Sequence, residues 1–497
     1  MAARHATSIV WLRRDLRLSD HRALARAVDE SDRVVCAFVL DPQLLRGPEI
    51  GAPIVQNFFD ALGELRASLR ASGSDLALLE GDFTTELRAL AARVGANALY
   101  FNVDYEPHAI ERDRAVGEAF RADGATVVSL TDHVYFGARD VLKSGGDPYT
   151  VYTPYRRRWL ERLREEPPVI ADPPQLAQRL ARAETIGATR DVPEPEAFGH
   201  ERSPRFPKGG ATEASRTLAA FVARRIGAYA KARNVPAQPG TAHLSPHLRA
   251  GTIGIRTCVA AALRARDERD GEERTAAETW LGELIWRDFY QQILANFPYV
   301  ASGPFDERAQ RIAYREAPGD YERWASATTG YPIVDAAMRQ LHTYGWMHNR
   351  LRMIVASFLT KDLLLDYRLG ERHFEQHLAD ADRAANNGGW QWSASTGTDA
   401  APYFRIFNPV TQSETFDRDG SFIRSMLPEL GRLSGRALHA PWTLSPIEAE
   451  ALHFKLGRDY PQPIVDHAEA RTRARSLRSG AGTWQSTGAA LMRCVKA

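Results

Sequence analysis

Seven consecutive residues, Asn386 to Trp392 (NNGGWQW), hold two asparagines, two glycines and two tryptophans. Glycine lets a backbone approach a neighbour closely. An indole offers a flat apolar face and a single N–H donor. Just upstream, DADRAANNGGW places Asp380 and Asp382 before that run. Alone, an acidic pair before a glycine turn is most often a helix end or a solvated loop. A second group lies in ETWLGELIWRDFYQQILANF, where Trp280, Glu283, Trp286, Arg287 and Tyr290 recur at helical spacing. The last four share one face. An isolated aromatic stripe is usually core, but a glutamate and an arginine on that face need partners if buried. A concave site supplies them. A third group is Asn349, Arg352 and Met353 in GWMHNRLRMIVASFL, the polar edge of a helix. Each group is weak alone; together they are hard to assign to packing.

These groups need rigid elements to hold them. From about 211 to about 475 the apolar period is mostly helical. The first ~130 residues differ: SIVWL (8–12), VVCAFVL (34–40), LALLEG (76–81), ALYFNV (98–103) and TVVSL (126–130) read as strands, with amphipathic segments between them. That alternation predicts a parallel sheet with helices on both faces. Such sheets bind ligands at the carboxyl ends of their strands. No G-x-G-x-x-G follows the first strand, so a dinucleotide fingerprint is lacking. Proline-rich EEPPVIADPPQLAQ and VPEPEAFGHERSPRFPKGG, within 165–210, read as an extended connector. The expected organisation is an α/β amino-terminal domain (1–135) with a five-stranded, Rossmann-like sheet, a connector (136–210), a larger all-α domain (211–480) and a disordered tail (481–497).

Bulk properties set outer limits. The 497 residues carry 64 Lys and Arg against 62 Asp and Glu, so any phosphate-binding surface must be a local patch. No apolar run reaches membrane-spanning length, and the charged start MAARHATSIVWLRRDLRLSD does not suit a signal peptide. Three scattered cysteines, Cys36, Cys258 and Cys494, suggest neither a disulfide framework nor a zinc site. A cytoplasmic protein is expected.

The sequence resembles the DNA photolyase and cryptochrome family from WLRRDLRLSDHRAL to YPQPIVDHAEAR, most densely in TGYPIVDAAMRQLHTYGWMHNRLRMIVASFLTKDLLLD and ANNGGWQWSASTGTDAAPYFRIFNP. It looks most like bacterial class I cyclobutane pyrimidine dimer photolyases. The resemblance implies a folded FAD, active as FADH⁻, inside the helical domain, and light-driven electron transfer to a flipped-out dimer in double-stranded DNA. Asn386 matches the asparagine facing flavin N5, and Trp390 the aromatic nearest the flavin ring. Trp286 and Trp392 match the two tryptophans that stack on the dimer; stacking returns ~1–3 kcal/mol per base against a flipping cost of a few kcal/mol. Tyr229, Thr241, Leu244 and Ser245 match the loop holding the FAD phosphates and ribitol, although the usual TSRLS reads TAHLS here. Ala242 and His243 are therefore departures, and one phosphate contact is lost or replaced. Trp280, Arg287 and Arg352 match further flavin-pocket positions. Asp380 and Asp382 match the acidic pair beside the ring, where Arg352 neutralises Asp380. Glu283 matches the carboxyl group that bonds the dimer bases. Asn349 and Met353 line the same cavity. Arg233, Arg350 and Arg405 match phosphate contacts. Glycines 388 and 389 would let the chain pass close to the cofactor.

Two readings compete within the family. A (6-4) photolyase typically carries a histidine pair where this chain has Asn349 and Met353. A cryptochrome sensor usually carries aspartate or cysteine opposite N5, where this chain has Asn386. Both comparisons favour dimer repair, and lesion access through an open face leads to the expectation of a monomer. Class I members usually relay electrons through three tryptophans. Trp390 is the first, but Tyr367 and Tyr314 replace the other two. Photoreduction is therefore expected to be weakened, to use tyrosyl radicals, or to detour through Trp324. In the amino-terminal domain Glu106 aligns with a glutamate that holds methenyltetrahydrofolate, while AFVLDPQLL and DYEPH look closer to 8-hydroxy-5-deazaflavin binders. The antenna identity stays open, as does a structural cap with no second chromophore. The resemblance implies chemistry that needs no metal.

Overall fold

The computed structural model describes residues 4–173, 175–400 and 405–479. The expected tail at 481–497 lies outside them, as do residues 401–404 of the densest motif.

Five strands form one parallel sheet: β1 (His5–Trp11), β2 (Ser31–Leu40), β3 (Ala77–Glu80), β4 (Ala98–Asn102) and β5 (Thr126–Leu130), in the order β3-β2-β1-β4-β5. Ile9 pairs with Val35 on one side and Leu99 on the other. Alternate residues feed opposite faces. Val10, Val34, Cys36 and Leu78 join one apolar core, and Ile9, Trp11, Val35 and Leu79 the other. Both faces are covered by helices, so the strands read as continuous apolar runs rather than as alternation.

The helical part has two apolar cores. One gathers residues near 135–165, 214–265 and 276–300; the other gathers residues near 331–394 and 422–460. Six helices position the site: α1 (Tyr152–Glu165), α2 (Gly271–Asn296), α3 (Pro332–Tyr344), α4 (Asn349–Ser357), α5 (Tyr367–His377) and α6 (Arg383–Ala394). Over its 26 residues α2 buries most of its circumference, including Trp280, Leu281, Ile285, Asp288 and Phe289. A helix apolar on several sides belongs in the middle of a fold.

One expectation needs correction. The NNGG run is not a turn. It lies inside α6, whose amino end is capped by Asp382, accepting from the Ala385 amide. The cap and the tertiary packing described below override the low helix propensity of glycine. α1 lies within the expected connector but precedes its proline-rich stretch, and its Tyr152, Tyr155, Trp159 and Leu163 join the helical core. The proline-rich remainder holds only short helical turns among the described residues.

The two halves meet through buried charge. β1 and β4 lie beside each other at the point where the strand order reverses, and ligands bind at such switch points in many open sheets. Here the chain's own arginines fill it. Arg14, just past β1, pairs with Asp104 and Glu106 past β4, and also with Asp382 at the start of α6. Asp132 accepts from Arg17 and from Arg256, and Arg256 also pairs with Asp20. Each charge in these pairs faces an opposite charge, the condition under which buried charge is tolerated.

Candidate functional site

A cavity of about 520 Å³ opens along the seam between the two helical cores, within the usual size range for cofactor sites of roughly 300–1,000 Å³. One wall comes from Tyr229, Thr241, Leu244 and Ser245 and from the α2 residues Trp280 and Arg287. The opposite wall comes from Arg352 on α4 and from Asp380, Asp382, Asn386 and Trp390 at and within α6. At the same cavity stand Glu283, Trp286, Asn349, Met353 and Trp392, together with Arg233. The sequence groups from the 280s, the 350s and the 380s thus converge on one concave surface.

Helix periodicity does the positioning. Asn386, Trp390 and Ser393 fall on the cavity face of α6. Their neighbour Gly388 packs against α2, where a Cβ would come 2.1 Å from the Tyr290 ring. Gly388 is therefore needed for the contact between α6 and α2, not for a cofactor. Gly389 does face the cavity, and a Cβ there would meet nothing within 4 Å. On α5, a Cβ at Gly370 would strike the Trp390 indole at 2.1 Å. That glycine lets α5 press against the back of Trp390.

Polar groups are fixed before any ligand arrives. Asn386 Nδ2 donates to the Glu371 carbonyl at 3.0 Å, leaving Oδ1 to accept from a ligand. Arg352 donates to both carboxylate oxygens of Asp380, at 3.0 and 2.8 Å. Burial opposes ionisation of Asp382, yet Arg14 and a hydrogen bond from His133 hold its carboxyl well below the usual range. His133 itself is pushed down to about 3 by burial, and further by Arg287 and Arg14, so it stays neutral. Arg287 donates to the His133 carbonyl. Asp382 and Arg287 are thus anchored by the interdomain joint rather than by one another. Behind α6, burial pushes Glu371 up to about 7 even though Asn387 donates to it at 2.8 Å.

Two buried nitrogens on the cavity lining, Arg249 Nη1 and Trp390 Nε1, have no hydrogen-bond partner. Buried donors are normally paired. An unpaired guanidinium nitrogen suits an anionic group such as a diphosphate, and the indole and amide walls suit a planar ring system. The residues present fit FAD. His243 adopts a left-handed backbone, φ 54°, and packs its ring 4.3 Å from Trp346, another cavity residue.

Near the mouth, Trp286 stacks on Tyr152 at 3.6 Å and 8°. Glu283 is paired with Arg233, so the carboxylate expected to meet bases and the arginine expected to meet phosphate neutralise each other here. Arg350 donates to Asn234 Oδ1 at 2.7 Å, and its pKa is lowered by burial and then by the charges of Arg233 and Arg405. Arg405, the second of these neighbouring charges, is exposed.

Five expected residues lie apart from the cavity lining: Arg350 and Arg405, described above, and Tyr367, Tyr314 and Glu106. Tyr367 is buried behind it and Tyr314 half-buried against the same core. Trp390 packs on Trp324 at 6.1 Å and on Phe374 at 5.0 Å. Trp324 in turn packs on Tyr321 at 6.1 Å. Glu106 sits 7% exposed at the domain joint, accepting from Arg14 at 2.6 Å. Sequence reasoning missed Tyr152, Tyr290 as a packing partner of Gly388, Arg249 and His133. Periodicity along one helix carries no information about partners more than a hundred residues away.

Comparison with known proteins fits this geometry. Residues 8–174 match the DNA photolyase family model, and residues 280–479 match the FAD binding domain of DNA photolyase. A deoxyribodipyrimidine photo-lyase from Synechococcus is 41% identical over 93% of this chain and 94% of its own length. That of Escherichia coli is 39% identical over 94% and 97%. Among solved structures, a bacterial class III photolyase from Agrobacterium tumefaciens superposes with a TM-score of 0.87 at 34% identity, covering 97% of this chain and 98% of that one. A Synechocystis cryptochrome gives 0.85 at 27% identity, covering 96% and 100%. Near-full-length identity of this order, on a cavity with this lining, places the chain in the DNA photolyase family, with an FAD-binding helical domain.

Proposed function

We propose that this protein repairs cyclobutane pyrimidine dimers in double-stranded DNA under light, as a cytoplasmic monomer. The observation that carries the reading is the shared cavity: Glu283, Trp286, Asn349, Met353 and Trp392 stand at the same opening as Asn386 and Trp390. Bound FAD, as FADH⁻, supplies the electron that opens the cyclobutane ring and takes it back. The chain's own residues do the rest. Trp286 and Trp392 offer faces for the two joined bases, and the Tyr152 stack keeps Trp286 flat before the lesion arrives. Preordering spares rotamer entropy on binding. Glu283 offers oxygens to base N–H groups once DNA draws Arg233 to a phosphate. Asn386 holds Oδ1 toward the cavity as an acceptor. Cys36 and Cys258 are free buried thiols, in keeping with a reducing compartment.

A (6-4) lesion calls for a proton donor at the dimer. Among the described lining residues the one histidine is His243, which packs against Trp346 and whose pKa is lowered by burial. That favours the cyclobutane lesion. Asn386 and the full set of dimer-facing residues favour repair over sensing. For delivery of electrons to the cavity, contact distance favours Trp390, Trp324 and Tyr321 in series. Burial raises the phenol pKa of both Tyr367 and Tyr321, so the choice between them rests on the ring contacts. For an antenna, the Glu106–Arg14 pair disfavours a folate role. A deazaflavin site or none is the better reading, and absorption spectra of the protein mixed with each chromophore distinguish them.

The test is light-dependent repair. FAD-loaded protein, reduced without oxygen, is mixed with a duplex containing one thymine dimer and split between near-ultraviolet light and darkness. Intact thymines in light alone are expected. Failure with FAD bound and reduced overturns the proposal and turns attention to (6-4) lesions or signalling.

A further inference from the structure

Three histidines meet outside this cavity. His373 and His377 lie one turn apart on α5, and His342 comes from the last turn of α3. His342 Nε2 is 3.0 Å from His373 Nε2. One nitrogen from each of the three rings lies within 4.8 Å of the other two. The His373 and His377 rings stack at 4.2 Å and 22°, and His342 is 4.9 Å from His377. His377 Nδ1 donates to the His373 carbonyl at 2.8 Å.

We propose that His342, His373 and His377 bind one divalent transition-metal ion of the zinc class, at a site separate from the FAD cavity. A pair of histidines at i and i+4 on one helix face, joined by a third from a neighbouring helix, is a chelating arrangement. Nitrogens about 2.0–2.1 Å from one ion sit roughly 3.3 Å apart in a tetrahedron. The 3.0 Å edge is already at that spacing, and side-chain rotation closes the rest. The His377 Nδ1–H bond to a backbone carbonyl fixes that ring's tautomer and leaves its Nε2 lone pair for metal, the usual outer support of a ligating histidine. None of the three forms an ion pair among the described residues. A set of imidazoles without carboxylates selects Zn²⁺, Co²⁺, Ni²⁺ or Cu²⁺ over Mg²⁺ or Ca²⁺. The competing reading is aromatic filler held by one N–H···N bond beside Trp324, whose ring is 5.4 Å from His373.

The experiment uses full-length, FAD-loaded protein without an affinity tag, dialysed against EDTA and titrated with Zn²⁺ by calorimetry and with Co²⁺ by absorption. One equivalent of each is expected, with the intense ligand-field bands of four-coordinate Co²⁺. His342→Gln and His377→Gln are each expected to weaken binding by roughly ten- to a hundred-fold, with FAD absorbance confirming the fold. His108→Gln, on an exposed histidine outside the cluster, leaves it unchanged. The proposal is overturned by no stoichiometric uptake in the unaltered protein, by a six-coordinate Co²⁺ spectrum, which needs no variant, or by unchanged affinity in both variants.

Discussion

Glu283 and Arg233 are paired at the cavity, so on the proposed reading binding DNA separates them. The pair is partly exposed, and such pairs are weak. Glu283→Gln is expected to lower repair while raising affinity for undamaged duplex, because Arg233 is released to bind phosphate. Arg233→Ala should reduce the slope of log affinity against log salt by about 0.9. Fluorescence anisotropy at several salt concentrations checks both. A similar contrast applies behind the cavity. Trp324→Phe should slow photoreduction of the bound cofactor by an order of magnitude or more, whereas Tyr367→Phe should leave it nearly unchanged. Transient absorption decides, and the reverse ranking would restore Tyr367 to the route. At this scale the sequence was legible where a long motif named a position. It was silent on pairing: nothing in ARNVP and LGELIW says that Arg233 will hold Glu283. It was also silent on the histidine cluster, although RHFEQH shows the i, i+4 spacing.

On α6 two adjacent glycines have opposite reasons to exist. Gly388→Ala drives a methyl into the Tyr290 ring and is expected to cost about 1–3 kcal/mol, read as a lower urea midpoint. Gly389→Ala points into open space and should gain up to about 1 kcal/mol from helix propensity, while crowding the cavity and weakening FAD retention. Equal losses of stability in both variants would refute the assignment of faces. The sequence suggested a loose backbone here because glycine and asparagine are turn formers. What overrode that preference was tertiary packing from α2 and α5, which no local window contains. The strands were easier: their apolar runs lay within a few residues of the observed bounds, because burial on both faces leaves one plain signal.

Across the molecule, buried carboxyl groups give opposing pH responses. Asp382 ionises well below its ordinary value of 3.8. Its stabilisation is therefore present above that value and lost as pH falls through the depressed one. Glu371 runs the other way. Its pKa is raised from 4.5 to about 7, so a cost grows as pH climbs between those values and persists above. Glu371→Gln should thus raise Tm more at about pH 8 than at about pH 5, with a ceiling of about 3 kcal/mol. A pH-independent difference would contradict the raised value. The α/β and helical halves were legible from hydrophobic period, but the joint was not: Arg14, Asp104, Glu106 and Asp382 are spread over 369 positions of the chain, residues 14–382. That joint has a mechanical consequence. Arg14 clamps the sheet to the first turn of the helix that carries Asn386, Trp390 and Trp392, so the two halves are not built to close around a substrate like jaws. The protein acts as a stiff die, and the deformation needed for engagement falls on the duplex. Lesion search should then be governed by how readily damaged DNA bends and unstacks, with local flexibility of the double helix setting the encounter rate.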